Sequence, residues 1–127
     1  MKKVFGLSVD FILVLLLLGI FVVVAIPGRI RERPSPLNRI FNNLRAIESA
    51  KEQWALEHKT SPGDTPTISD LAPYFRNNQP PSAIVKEKYE INPLGIPAAA
   101  RLYRKVGHYQ AGSVITVNAK GEGQLAE

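Results

Sequence analysis

The chain has 127 residues, with 16 Lys plus Arg against 11 Asp plus Glu for a formal net charge of +5, and no cysteine. Lack of cysteine excludes a disulfide framework and thiolate metal sites, and the roughly 100 residues after an N-terminal apolar run suffice for one modest core, not a second domain or a large enclosed active site. The excess charge does not indicate nucleic acid: residues 1–27 carry +1 and residues 28–45 carry +4, while residues 46–127 hold nine basic and nine acidic side chains. Positive charge beside an apolar run sets topology or meets anionic headgroups, and no grouped stacking aromatics accompany it, so no nucleic-acid partner is expected.

Lys2 and Lys3 precede a run from Val4 to Ile26 whose only charge is Asp10. As a helix this run would extend roughly 34 Å, against a hydrocarbon core of about 30 Å. The sequence therefore predicts a single transmembrane helix within residues 1–27. A cleavable secretory signal is the rival, with Val23 and Ala25 at the small-residue positions before Ile26. The run exceeds the usual apolar core of such a signal, and Pro27 would stand just past the cut. Asp10 is costly, at about 2.5–3.5 kcal/mol toward a membrane centre and less near an end. It lies at the interface, with the span running from Phe11 to Gly28, or it meets a positive partner inside the membrane.

Residues 28–36, GRIRERPSP, form a basic hinge, because Pro34 and Pro36 each remove a backbone donor. Ser35 and Pro36 are an N-cap and first-turn pair for an amphipathic helix ending near His58. Leu37, Ile40, Phe41, Leu44, Ile47, Trp54 and Ala55 recur at three- and four-residue steps, with Arg45, Glu48, Lys51 and Glu52 assigned to the surface. Leu44, Ile47 and Trp54 are expected to anchor its core face. HKTSPGDTPT reads as a loop, and Thr67 with Asp70 as a capping pair for a short helix through Leu71 to Phe75 that Pro73 keeps short.

After the loop RNNQPPS the period becomes alternating. KYEIN, RLYRKV and SVITVNA read as three short strands. Asn92 to Gly95 is expected as a turn with Pro93 second, and Gly107 to Gly112 joins the last two strands. The expected fold class is α+β: an N-terminal transmembrane helix, then an amphipathic helix packed on a small antiparallel β-sheet within residues 37–119. Residues 120–127 are expected as a frayed tail.

Catalytic chemistry is not indicated. His58 and His108 are far apart in sequence and belong to no spaced ligand set, Glu87 and Glu90 read as solvated charges flanking a strand, and there is no nucleophile elbow or phosphate-cradling glycine loop. No enzyme activity, cofactor or metal is expected.

Two stretches resemble type IV pilin-like proteins, including the pseudopilins of type II secretion systems. KKVFGLSVDFILVLLLLGIFVVVAIP looks like their basic leader and hydrophobic spine, with Asp10 seventeen residues before Pro27 as the family's acid stands before its proline. NNLRAIESAKEQWALEHKTSPGDTPTISDLAPYF is similar to the segment after the spine. The resemblance implies an inner-membrane subunit with its small domain outside the cytoplasm, packing with like or related subunits through its apolar helix. It also implies that Asp10 pairs with the free amine of a neighbour. The leader departs from the family pattern: Phe5 replaces the usual Gly before the cut, cutting after Gly6 would shift the acid by one, and Asp replaces the usual Glu. Positive-inside counting alone would put the domain in the cytoplasm, since Arg29, Arg31 and Arg33 outnumber Lys2 and Lys3. A membrane-tethered binding or accessory module that does not polymerise is the alternative to a structural subunit.

Overall fold

The computed structural model describes residues 8–25 and 32–126. The chain divides into two compact units, Met1–Arg33 and Pro34–Glu127. In the first unit α1 spans Val9–Ala25, 17 residues. The Ser8 carbonyl accepts from the backbone N–H groups of Phe11 (3.0 Å) and Ile12 (3.3 Å), starting the first turn. Nothing in its sequence marks a polar stripe beyond Asp10, and its large apolar side chains from Val9 to Val22 are all exposed, up to 71 % at Phe21.

The described residues do not show the expected transmembrane helix. Among the described residues no helix is long and apolar enough to cross a membrane. At 1.5 Å per residue α1 extends roughly 26 Å, short of a core of about 30 Å. Val4 to Leu7 and Ile26, which complete the expected span, lie outside the described residues, as does Pro27.

The second unit is α+β, with helices packed against a four-stranded antiparallel sheet. α2 spans Pro36–His58, as its cap and period predict. Ser35 Oγ accepts from Asn38 N–H at 3.2 Å, and Lys59 closes the helix in the left-handed region, φ 48°. Its buried side chains, Ile40, Phe41, Leu44, Ile47, Ala50 and Lys51, form one stripe. α3, Ile68–Leu71, starts in a complete capping box between Thr67 and Asp70, and two short 3₁₀ turns follow over Ala72–Tyr74 and Arg76–Asn78.

The strands are β1 (Lys88–Glu90), β2 (Ala99–Arg101), β3 (Val114–Val117) and β4 (Gly123–Leu125), paired in chain order. Tyr89 faces Ala100, Ala100 faces Ile115, and Ile115 faces Leu125. Three expectations fail here. First, the sheet has four strands, and the fourth is made by residues assigned to a frayed tail, held by β3 pairing and by Ala126 N–H to Val114 O at 2.8 Å. Second, RLYRKV is not a strand: β2 ends at Arg101, and Val106 only bridges Tyr109 in the connection to β3. The paired residues are instead Ala99 to Arg101, at the end of an alanine run, Ala98 to Ala100, at most 3 % exposed. Small side chains suit a sheet crossed closely by a helix. Third, the turn is shifted by one residue, with Ile96 N–H reaching Pro93 O at 3.0 Å and Gly95 at φ 90°, a conformation glycine adopts without strain.

Gly123 shows why the last strand carries glycine. A Cβ built there would stand 1.9 Å from Phe41 Cζ, so the ring lies directly on the strand backbone. Phe41 also meets Tyr109 edge to face, with centroids 6.2 Å apart. Leu44, Ile47, Leu71 and Ile115 complete a core with no solvent exposure.

Candidate functional site

Two features carry functional weight: the uncovered surface of α1 and the polar fastenings that hold the loops of the second unit on α2. Apolar surface in water is unfavourable by about 25 cal/mol per Å², and an exposed apolar stretch of this kind marks an interaction surface. Asp10 lies in the first turn of α1, exposed, where an acid complements the helix dipole. Phe5, Gly6 and Pro27 fall outside the described residues. Leu44 and Ile47 are fully buried, as expected. Trp54 stands at the margin of the core, partly buried, its ring stacked on His58 at 5.1 Å.

The first fastening joins α2 to the loop before β2. Lys51, expected on the surface, is 2 % exposed, and its Nζ donates to Glu48 Oε1 at 3.0 Å and to the Ile96 carbonyl at 2.7 Å. Glu48 also accepts from Ala98 N–H. A buried ammonium is tolerated only when paired and hydrogen-bonded, and here one ion pair satisfies two backbone groups of the entering strand.

The second fastening overturns the reading of Glu87 as a solvated charge. It is buried, and its carboxylate accepts from Ile84 N–H (2.8 Å), Val85 N–H (2.7 Å) and Tyr89 Oη–H (2.6 Å). Tyr89 Oη in turn accepts from Asn43 Nδ2 on α2, at 2.8 Å. Burial pushes the Glu87 carboxyl up, but the hydrogen bonds from Tyr89, Val85 and Ile84 outweigh it and hold the group below its ordinary value. Burial, and then the Glu87 acceptor, push the Tyr89 phenol up. The proton therefore stays on the phenol and the charge on the carboxylate. Glu90, by contrast, forms an ion pair with Arg101 at 3.1 Å, partly exposed.

These groups are structural ties. Among the described residues the surface carries open grooves, one of them of about 400 Å³ between the start of α2 and the β2–β3 connection. Among the described residues no group of three or more His, Asp or Glu is placed to hold a metal ion. His58 Nδ1 lies 2.9 Å from the Trp54 carbonyl, and the His108 ring packs against Tyr109. Sequence reasoning missed Lys51 and Glu87 because charge alone does not show burial: Lys51 is fixed by the distant Ile96 carbonyl, and Glu87 by a local bend that brings Ile84 N–H, Val85 N–H and Tyr89 Oη onto its carboxylate. The chain matches no family model, no curated protein and no solved structure.

Proposed function

We propose that the chain is a membrane-anchored, pilin-like structural subunit, a divergent pseudopilin of a type II secretion or type IV pilus-like system. The observation that carries this reading is α1: a helix apolar on every side, uncovered from Val9 to Val22, preceding a unit in which an amphipathic helix lies on an antiparallel sheet. In sequence the apolar run continues from Val4 to Ile26, which is long enough to cross a bilayer. Within lipid, the apolar effect no longer separates helix from solvent, and packing between helices together with paired polar groups drives their association. Asp10 then needs a positive partner, and the free amine of a neighbouring subunit supplies one. The cytoplasmic membrane is the assigned location, with the second unit outside the cytoplasm.

A chain without cysteine makes the test direct. Single cysteines placed at Leu13, Leu16 and Leu17 should give disulfide-linked dimers and higher ladders in membranes, and Asp10→Ala should weaken them. Protease added to spheroplasts should remove the second unit. Monomers alone in the presence of a complete secretion or pilus machine, or a second unit protected until the inner membrane is lysed, would sink the proposal. A tethered accessory module is favoured by one observation, the fresh start of α2 at its own Ser35 cap after Pro34. That reading requires an unrelated membrane helix to replace residues 1–27 without loss of function.

A further inference from the structure

The charges of residues 46–127 balance in number, nine basic against nine acidic, but the fold does not distribute them evenly. Lys88 lies opposite Arg101 where β1 begins and β2 ends. A groove lined by Ser35, Leu37, Val85, Arg104, Lys105 and Gly107 joins the segment before β1 and the segment after β2 to the start of α2, which puts that start at this same pole. The pole is tightly closed at Gly107, where an added Cβ would come 2.9 Å from Leu37 Cδ2. Lys86, Lys88, Arg104 and Lys105 are exposed here, and none has an ion-pair partner among the described residues. The nearby carboxylates are already committed: Glu90 to Arg101, and Glu87 to Ile84, Val85 and Tyr89. Tyr103, next to Arg104 in sequence, has 60 % of its surface exposed. Acids concentrate elsewhere. Glu57 bonds Tyr74 near the C-terminal end of α2, and Asp64 and Asp70 cap the loops beyond it.

We propose that this pole, with Lys86, Lys88, Arg104, Lys105 and the exposed Tyr103, is a docking surface for an anionic lipid bilayer. Four unpaired cations complement a sheet of anionic headgroups, and an exposed tyrosine suits the boundary between water and acyl chains. The inference rests on the anchored reading above for bringing the unit to a membrane, and α2, the first helix of the unit, begins at this same pole. Docking would hold the sheet and its loops in one orientation to the bilayer before any assembly.

The test uses the full chain with Ala111→Cys, a single site in the β2–β3 connection, carrying a fluorophore. The chain is reconstituted with vesicles of phosphatidylcholine alone or of an equimolar mixture with phosphatidylglycerol, each containing a headgroup-bound quencher. Strong quenching is expected only in the mixture, falling roughly fivefold for each of the four cations replaced by Gln and lost at high salt. The salt titration needs no substitution, so a misfolded variant cannot decide the result. Chain that floats with both vesicles but is quenched equally in each overturns the docking surface and leaves the anchor standing. Chain that binds only the mixture, and less tightly after the Gln replacements, upholds the surface and overturns the anchor. Chain that floats with neither overturns both. Quenching that follows protein concentration instead of lipid composition assigns the pole to a second copy and overturns the proposal.

Discussion

α1 and α2 are both helices of ordinary length, 17 and 23 residues, yet they solve opposite problems. α2 gathers its apolar residues into one stripe, covers that stripe with a sheet, and leaves Asn42, Arg45 and Glu52 in water. α1 has apolar residues around its whole circumference, and among the described residues of its unit no other element covers them. An amphipathic helix takes its partner from the same chain; a helix apolar all round must take it from outside. The second unit therefore has its stability written into internal contacts, whereas α1 contributes little until its surroundings change.

That contrast can be broken by substitution, with unfolding followed through Trp54, the sole tryptophan. The largest effect is expected for Glu48→Ala. It leaves the Lys51 ammonium buried without its carboxylate and should cost about 3–5 kcal/mol in urea unfolding of the second unit. Leu16→Ala in α1 should leave the same transition unmoved, and an equal loss from both would end the distinction between the regions. Gly123→Ala comes next, at about 1–3 kcal/mol, because the new methyl overlaps the Phe41 ring. Phe41→Leu in the same chain should recover part of that loss; simple additivity would show that the ring is not the obstacle.

Glu87→Gln should cost about 1–2 kcal/mol at neutral pH and change the acid response. The folded carboxyl is held below its ordinary value of 4.5, so its contribution is present above that value and disappears as pH falls through the lower folded one. Native chain should lose stability across that window, and the Gln variant should lose less; identical acid profiles would remove Glu87 as a cause. Ser35→Ala is the smallest, about 0.5–1 kcal/mol, since it removes one exposed cap bond from Asn38 N–H. Circular dichroism should then report fraying at the start of α2 alone.

What was legible in the sequence follows the range of the interactions. α2 could be placed to the residue because its cap, period and helix end are local signals, and the Thr67–Asp70 box was readable for the same reason. β2 was misplaced because Leu102 and Val106 alternate persuasively while Ala99 and Ala100 have little strand preference; the alanines are strand residues because a helix packs over them. β4 was overlooked because glycine and polar residues signal an end of structure, and only the distant Phe41 explains Gly123. Charge alone says nothing about enclosure, so the sequence does not show that Glu87 and Lys51 are buried. The basic pole was hidden by a balanced count, since its four cations come from two segments joined only by pairing of β1 with β2.

The chain-order pairing of the sheet also bears on how quickly the molecule reaches this state. Every strand meets its sequence neighbour, so β1 to β4 can close by successive short loops, each a small entropic step. The far longer closure returns the β3–β4 connection to α2, where Arg45 Nε meets the Gly121 carbonyl at 2.8 Å across 76 residues. Folding kinetics should therefore separate zipping of the meander from its later capture by a helix already marked out by its own cap, with the Phe41 and Gly123 contact among the last to form.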